Sequence, residues 1–402
     1  MSATIDTTVH RTASLANRLP IALLTLSAFV AITTEYGIIG IMPELAQGLG
    51  VSTAAAGQLV TLFALTVMLC GPFLTALLAG KKRKPLFIIV MAIYAAANLM
   101  AALASNFATL AVARILPALA LPVFWGTASE TAVQLAGPGN AGRASAQFYL
   151  GSACALLIGI PFGTLISHML GWRALFFVLT LLSLATAAAL YYFMPSLEKP
   201  LKFKLKEQLG ILGKPYFLIN LLLSVVVFSA MFTAYTYFAH FLQQVAGVTD
   251  ADVGWWLLGF GAVGLIGNWL GGKFLDRSLL RTTIFFLCML GCGMTLSTLM
   301  ASQPVLLWIA LTLWGVAYTA LFPVCQVRVV AAAKRAKALA GAMNVSATNG
   351  GTALGSMLGG AIIAQWGITV LGFAATLVAL LGVLLTWQTI KMKRRYAIAP
   401  VE

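Results

Sequence analysis

Two ionisable side chains, Glu35 and Arg114, lie within stretches that are otherwise apolar. The stretch around Glu35 is about twenty apolar or small residues long, enough to cross the roughly 30 Å hydrocarbon core of a bilayer. A carboxylate inside such a span costs about 2.5–3.5 kcal/mol, so it is expected to face a cavity or a partner. Because burial disfavours the charged form, such a carboxyl is suited to proton exchange. We therefore predict that Glu35 exchanges protons, and the alternative is a carboxylate that reaches out to the headgroups.

Arg114 lies at about the same predicted depth as Glu35. A guanidinium does not release its proton, so inside a membrane it needs an anion, a carbonyl group or water as its partner. We predict that Arg114 and Glu35 interact, either directly or through water. The alternative is that Arg114 binds backbone carbonyls that Pro117 and Pro122 leave free in its own helix.

The elements that must position these two residues are membrane-spanning helices. The chain has 402 residues, of which 61% are hydrophobic and 9% charged, whereas about 25% of the residues in a soluble domain are charged. Alternating segments of about ten residues, which a β-barrel would need, do not occur. The sequence therefore predicts an all-α membrane protein with twelve transmembrane helices, near 20–42, 53–79, 85–104, 108–134, 143–170, 174–195, 216–245, 252–274, 281–300, 304–328, 338–365 and 367–391.

The net charge of +15 follows the predicted membrane topology. Apart from Arg114 and Arg173, the Lys and Arg residues fall in the two tails, the central linker and the loops of one side. The loops of the other side carry Glu44, Asp250 and Asp252. This asymmetry obeys the positive-inside rule, so both termini are expected in the cytoplasm. It also excludes nucleic acid as the explanation for the charge.

A polar interruption from Pro195 to Lys214 separates the first six predicted helices from the last six. Its basic residues are suited to contact anionic lipid headgroups. We therefore predict an amino-terminal half, a cytoplasmic linker and a carboxyl-terminal half, at 1–195, 196–215 and 216–402.

An internal repeat supports this division. With a shift of 196 residues, glycines in and just after the fifth predicted helix align with glycines in and just after the eleventh. The aligned pairs are Gly159 with Gly355, Gly163 with Gly359 and Gly171 with Gly367. Parallel halves related about the membrane normal are a known plan of transport proteins, and they place the substrate site near the midplane between the halves.

Several motifs resemble a known family. Gly272-x-x-x-Asp276-Arg277 resembles the loop signature of the major facilitator superfamily. Arg114 and Gly159-Ile-Pro161-Phe-Gly163 resemble its proton-antiporter subgroup. Thr34-Glu35-Tyr36 and Thr233-Ala-Tyr235-Thr-Tyr237 are similar to bacterial sugar efflux transporters of the drug:proton antiporter group. The resemblance covers the whole chain and implies the major facilitator fold, with two pseudo-symmetric halves of six helices each.

The resemblance also implies residues that gate access. A charge cluster that pairs Glu130 with Arg83 or Lys84 would hold the cytoplasmic side shut, and Asp276 with Arg277 and Arg281 would act equivalently in the second half. The alternative for Glu130 is an exposed acid at the membrane interface. Where the first-half loop of the family has an Asp, this chain has Gly80. The fifth helix, with Gly159, Pro161 and Gly163, is interpreted as a bendable helix between the halves; the alternative is ordinary close packing of small residues.

Polar and aromatic residues of seven predicted helices are candidates for substrate contact, because a ligand cavity combines aromatic walls with a few hydrogen-bonding groups. The alternative for each Tyr and Trp is a membrane-interface anchor. The candidates are Tyr36, Trp125, Gln147, Tyr149, Tyr235, Tyr237, His240, Asn268, Trp314, Tyr318, Gln326, Asn344 and Asn349.

An enzyme is not predicted, because the sequence has neither a phosphate-binding loop nor a metal-ligand or nucleophile pattern; no cofactor is expected. We predict a monomeric, proton-coupled exporter in the bacterial inner membrane, whose partners are protons, membrane lipid and a small polar molecule such as a sugar. A multidrug, antibiotic or nucleoside antiporter has the same frame. A receptor, a scaffold and an ion channel are the other classes considered.

Overall fold

Long helices account for nearly the whole of the computed structural model. It describes residues 18–78, 80–137, 140–197, 209–274, 278–333 and 337–398. The long helices are α1 (Arg18–Gly40), α2 (Thr53–Leu78), α3 (Arg83–Ala102), α4 (Phe107–Ala136), α5 (Ala141–Cys154 and Ile160–Leu170), α6 (Arg173–Phe193), α7 (Pro215–Tyr235), α8 (Asp250–Phe274), α9 (Leu279–Leu299), α10 (Pro304–Ala332), α11 (Lys337–Trp366) and α12 (Leu371–Ile398).

Eleven helices of the described residues are long and apolar enough to cross a membrane. The helix α11 is 30 residues long but is not among the eleven, because polar and small residues dilute its apolar ones. Its Asn344, Asn349 and Ser356 are buried against other helices, which removes these groups from contact with lipid. The predicted all-helical membrane class is confirmed.

The first helix of each predicted half is interrupted in the same way. After Gly40, α1 gives way to a short helix, Met42–Leu49; after Tyr235, α7 is followed by another, Phe238–Gln244. Four glycines with positive φ, a conformation that favours glycine, follow in corresponding places: Gly50 and Gly247 (65° and 67°), and Gly171 and Gly367 (85° and 81°). Backbone breaks and turns therefore recur at the spacing of the sequence repeat.

The helix α5 is not a continuous α-helix. A π-helical turn, Ala155–Gly159, joins its two segments, and Pro161 lies in the first turn of the second segment. A Cβ on Gly163 would lie 2.8 Å from Leu175 of α6, and one on Gly159 would meet Thr33 of α1. Close packing therefore accounts for these glycines, and the π-turn is a local irregularity of a kind often found at functional sites.

Two helix pairs, α2–α11 and α5–α8, make the most extensive contacts between the predicted halves. Between α2 and α11, the Ser356 hydroxyl donates to the carbonyl oxygen of Gly57 at 2.9 Å. Between α5 and α8, a Cβ on Gly261 would lie 3.0 Å from Cα of Leu157, and one on Gly254 would lie 2.6 Å from the Leu165 side chain. These contacts run from the middle of the molecule to the end that the topology predicts to be periplasmic, so the halves are closed together at that end.

Gly355→Ala is expected to destabilise the protein, because α7 and α11 touch through their backbones at this point. The added Cβ would lie 2.5 Å from the Ser229 oxygen and 3.0 Å from the Thr233 nitrogen, and overpacking of this kind costs about 1–3 kcal/mol. Gly272→Ala is the control, since a Cβ there would have no described neighbour within 4 Å. In detergent, the free energy of unfolding should be lower for Gly355→Ala than for the wild type and unchanged for Gly272→Ala. Equal stability of the two variants would contradict the close approach of α7 and α11.

Candidate functional site between the helix bundles

Glu35 lies on α1 and is buried, with 5% of its surface exposed. Its carboxyl interacts with the hydroxyl of Tyr36 and is within electrostatic range of Arg114, Tyr94 and Tyr318. Among the described residues it forms no ion pair. Since an unpaired buried carboxylate is costly, this environment favours the protonated form of the side chain.

Arg114 of α4 approaches α1 through its backbone. One terminal guanidinium nitrogen donates to the carbonyl oxygen of Thr34 and the other to that of Glu35, the latter at 2.7 Å. The guanidinium also lies over the Phe63 ring of α2, 4.5 Å from its centroid. The sequence left open whether Arg114 would meet Glu35 or carbonyls of its own helix; the carbonyls it binds belong to α1, and one of them is that of Glu35.

Aromatic rings of α7, α8 and α10 close over the Glu35 region. Tyr36 stacks on Phe232 at 5.5 Å, and Tyr235 lies 4.5 Å from Tyr318, between ring centroids. Beside these rings lies a cavity of about 20 Å³ lined in part by Leu156, Tyr235 and Tyr318. That volume holds about one water molecule, so this cavity has no room for an organic substrate.

Amide side chains form a second group on α10 and α11. Asn344 donates to the Gln326 side chain at 2.6 Å, and Asn349 donates to the carbonyl oxygen of Val345 at 3.0 Å. The side-chain oxygens of both asparagines are buried and have no hydrogen-bond partner within the described ranges. A buried acceptor without a partner is expensive, so these two oxygens are suited to accept hydrogen bonds from a ligand when the site opens.

The other predicted substrate residues are spread over the molecule. Trp125 and Tyr149 stack with planes 9° apart, and Tyr149 is 50% exposed. Tyr237 is fully buried and donates to the carbonyl oxygen of Ser356, a bond that holds α7 to α11. Gln147 and His240 are half-buried and Asn268 is exposed. Trp314 is buried against Phe260, 5.5 Å away between ring centroids, and Phe260 packs on Tyr235 and Tyr318, so Trp314 belongs to the aromatic cluster near Glu35.

The gating residues are only partly described. Arg83 donates to the Glu130 carboxylate at 2.8 Å, and Lys84 lies over the Tyr191 ring at 5.8 Å. Glu130 is 64% exposed whereas Arg83 is 3% exposed, so the pair is anchored on the arginine. Asp276 and Arg277 lie outside the described residues.

Sequence reasoning missed Arg328, which it placed with the cytoplasmic cations. The structure buries Arg328 in α10, where its guanidinium donates to Thr283, to Ser224 and to the carbonyl oxygen of Asn220. It therefore ties α7, α9 and α10 together. The residue ended the predicted span 304–328, and its burial becomes apparent only because α10 continues to Ala332.

Two residues of α3 near Glu35 were also missed. Asn98 donates to the Thr34 hydroxyl at 3.1 Å, and Tyr94, fully buried, lies one helical turn earlier on the same face. The mid-span amide of Asn98 was a usable signal, because such a group must find a partner within the protein. Tyr94 carried no such signal in the sequence, because a lone Tyr among apolar residues is equally typical of helix packing.

Glu44, in the short helix beyond α1, is expected to make stability pH-dependent. Burial raises the pKa of its carboxyl above 4.5; the charge of Asp250 adds to the rise, and its own backbone amide and His168 oppose it. The folded state then binds more protons than the unfolded state as the pH rises above about 4.5, so stability declines through that window. Glu44→Gln should flatten the decline measured by unfolding, and Asp252→Asn should not; an unchanged decline in Glu44→Gln would contradict this.

Known proteins resemble the chain over most of its length. The model of the Major Facilitator Superfamily matches residues 24–278 and 221–401. The inner membrane transport protein YdhP of Escherichia coli (strain K12) is 33% identical over 371 residues, 92% of this chain and 95% of that protein. The MFS-type transporter YtbD of Bacillus subtilis (strain 168) is 31% identical, over 92% of this chain and 95% of its own.

Solved structures share the fold at low sequence identity. A bacterial homologue of the human lysosomal transporter Spinster, in an inward-facing and occupied conformation, superposes with a TM-score of 0.77 at 16% identity, over 92% of this chain and 96% of that one. The human organic anion transporter MFSD10 gives 0.68 at 14% identity, over 92% and 99%. The chain belongs to the major facilitator superfamily and is a membrane transport protein rather than an enzyme.

Proposed function

We propose that this protein is a proton-coupled efflux antiporter for small polar organic molecules, with Glu35 as the proton-exchange site. The observation that carries the proposal is the Glu35 carboxyl, which is buried, with no ion pair to any described residue, where α1 meets the tyrosines of α7 and α10. An intramembrane acid in such a place is by default a functional residue.

Proton exchange at this carboxyl would couple to the motion of the halves. In the closed arrangement the carboxyl is enclosed by protein, which favours its protonated form. Loss of the proton would place a charge there and favour an arrangement in which water reaches the site. A difference of one pKa unit between the two arrangements is worth about 1.4 kcal/mol, enough to shift the populations of a two-state protein about tenfold.

The direction of access follows from the contacts between the halves. Closure at the α2–α11 and α5–α8 contacts leaves the opposite end as the side for substrate entry. The Arg83–Glu130 pair at that end joins α3 to α4 within the first half and does not bridge the two halves. We assign that end to the cytoplasm, with both termini, and the membrane to the bacterial inner membrane. The two halves, 1–195 and 216–402, would rock about the central site while Gly159, Pro161 and Gly163 allow α5 to bend.

The substrate class is inferred from the groups that would line the open site. Amides and phenols outnumber charges there, and no described residue donates a hydrogen bond to the acceptor oxygens of Asn344 and Asn349. A hydroxyl-rich neutral molecule such as a sugar would satisfy them. A multidrug, antibiotic or nucleoside antiporter remains the second candidate, favoured by the aromatic rings of Tyr36, Tyr235 and Tyr318.

Purified protein in lipid vesicles with an imposed proton gradient tests the proposal. Radiolabelled sugars, nucleosides and antibiotics are offered one at a time, and gradient-dependent accumulation is measured against protein-free vesicles. Accumulation of a sugar supports the proposal, and accumulation of only amphipathic drugs or nucleosides supports the second candidate. Movement that ignores the gradient for every compound would contradict proton coupling.

A further inference from the structure

Two buried polar atoms near Glu35 have no hydrogen-bond partner in the part of the chain that the structure describes. They are the hydroxyl of Tyr94 and Nε of Arg114, on residues that are 0% and 1% exposed. Arg114 donates to the carbonyl oxygen of Glu35 at 2.7 Å. On α3, Asn98, one helical turn after Tyr94, donates to the hydroxyl of Thr34 at 3.1 Å. Helices α3 and α4 therefore both contact α1 at Thr34 and Glu35.

An unsatisfied buried donor or acceptor costs about 1–3 kcal/mol. Proteins usually satisfy such groups with an ordered water that makes about three hydrogen bonds. The three groups are complementary to one water: Nε of Arg114 donates, the Glu35 carboxylate accepts, and the Tyr94 hydroxyl does either. Each terminal guanidinium nitrogen donates to a carbonyl of α1, whereas Nε has no partner among the described residues.

We propose that Tyr94, Arg114 and Glu35 bind a single water molecule and that this water is the immediate proton donor and acceptor of Glu35. This inference rests on the proposed proton exchange. In the forward step a proton from bulk water converts the bound water to hydronium, which transfers that proton to the carboxylate, giving water and the neutral carboxyl. Tyr94 acts as a positioning residue, and Arg114 stays charged throughout.

The surroundings restrict what else titrates with the carboxyl. Within the described residues, the titratable groups that interact with Glu35 are Tyr36 on its own helix, Tyr94 of α3, Arg114 of α4 and Tyr318 of α10. Only Tyr94 among the phenols also interacts with Arg114. The bond from Asn98 to Thr34 holds α3 against α1 one turn away, which fixes the height of the Tyr94 ring.

Infrared difference spectroscopy on the purified full-length protein in lipid vesicles tests the inference without a substrate. Spectra between acid and alkaline pH are recorded in ordinary water and in water labelled with oxygen-18. The wild type should show the carbonyl band of a titrating carboxyl, absent in Glu35→Gln, and an isotope-sensitive water band. Tyr94→Phe keeps the ring but should lose the water band and move the carbonyl band; Tyr192→Phe, at an exposed position, should change neither.

The outcomes separate the two claims. A Glu35 carbonyl band that Tyr94→Phe leaves unchanged, with the water band intact, overturns the bound water but not proton exchange. Absence of any carbonyl band that Glu35→Gln removes overturns the proposed function itself. Should Tyr94→Phe fail to fold, the wild type and Glu35→Gln suffice, because the water band must change when the carboxyl that holds the water is replaced; an unchanged band overturns the inference.

Discussion

Glu35→Gln should abolish proton-driven accumulation while leaving the protein folded. Each pH unit of gradient is worth about 1.4 kcal/mol, a factor of ten in concentration. An exchange of one proton for one neutral substrate molecule therefore turns a gradient of about two pH units into an accumulation of up to ~100-fold. Gln keeps the shape and hydrogen-bonding ends of a protonated Glu but does not release a proton, so it should give no accumulation.

The measurement uses vesicles with an imposed gradient and the substrate that the panel identifies. Asp252→Asn is the control, because Asp252 is an exposed acid at the start of α8 and its removal changes the same formal charge. This control should accumulate substrate as the wild type does. Accumulation by Glu35→Gln at the wild-type level would remove Glu35 from the coupling mechanism.

Arg114→Lys should lose both stability and coupling, although it preserves the positive charge. The guanidinium binds two carbonyls of α1 at once and lies over the Phe63 ring. A Lys ammonium is a point charge and does not reproduce this planar, two-nitrogen contact. Loss of one hydrogen bond from a charged donor in a buried site costs about 1.5–3 kcal/mol.

Arg173→Lys is a matched control for Arg114→Lys. Arg173 also donates to a backbone carbonyl, that of Ala104 at 2.8 Å, and also lies over a ring, that of Trp172 at 4.2 Å. Arg173 is the first residue of α6 and is only partly buried. Water can therefore form the hydrogen bonds that a Lys side chain would not replace. In detergent, Arg114→Lys should lower the free energy of unfolding much more than Arg173→Lys does. Equal decreases would show that burial of the Arg114 contact does not add to its contribution to stability.

The fold was predictable because each membrane-spanning helix is recorded in the sequence as an apolar stretch. The length of these stretches and the loop motif from Gly272 to Arg277 predicted the superfamily, which the family match confirms. Even α11, whose polar residues dilute its apolar character, was placed, since Asn344 and Asn349 were interpreted as buried amides rather than as a loop.

The main residues of the candidate site could be predicted from the sequence, whereas most of their contacts could not. Glu35 and Arg114 stand out because a charge in an apolar stretch is rare. That Arg114 binds carbonyls of α1 depends on where two helices cross, and one sequence does not specify this. The burial of Arg328 was missed for a related reason: a cation at the end of a span looks like a cytoplasmic residue until the helix is seen to continue past it.

The central claim is that protonation of Glu35 favours closure of the predicted periplasmic end, and a distance measurement across that end tests it most directly. Spin labels are attached at Met169→Cys and Ala251→Cys, in exposed positions at the facing ends of α5 and α8, in a protein whose native cysteines are replaced. Distances are recorded by pulsed electron paramagnetic resonance at acid and alkaline pH, with and without Glu35→Gln. We expect the distance to lengthen at alkaline pH in the labelled parent and to stay short at both pH values in Glu35→Gln; the same lengthening in both proteins would contradict the account.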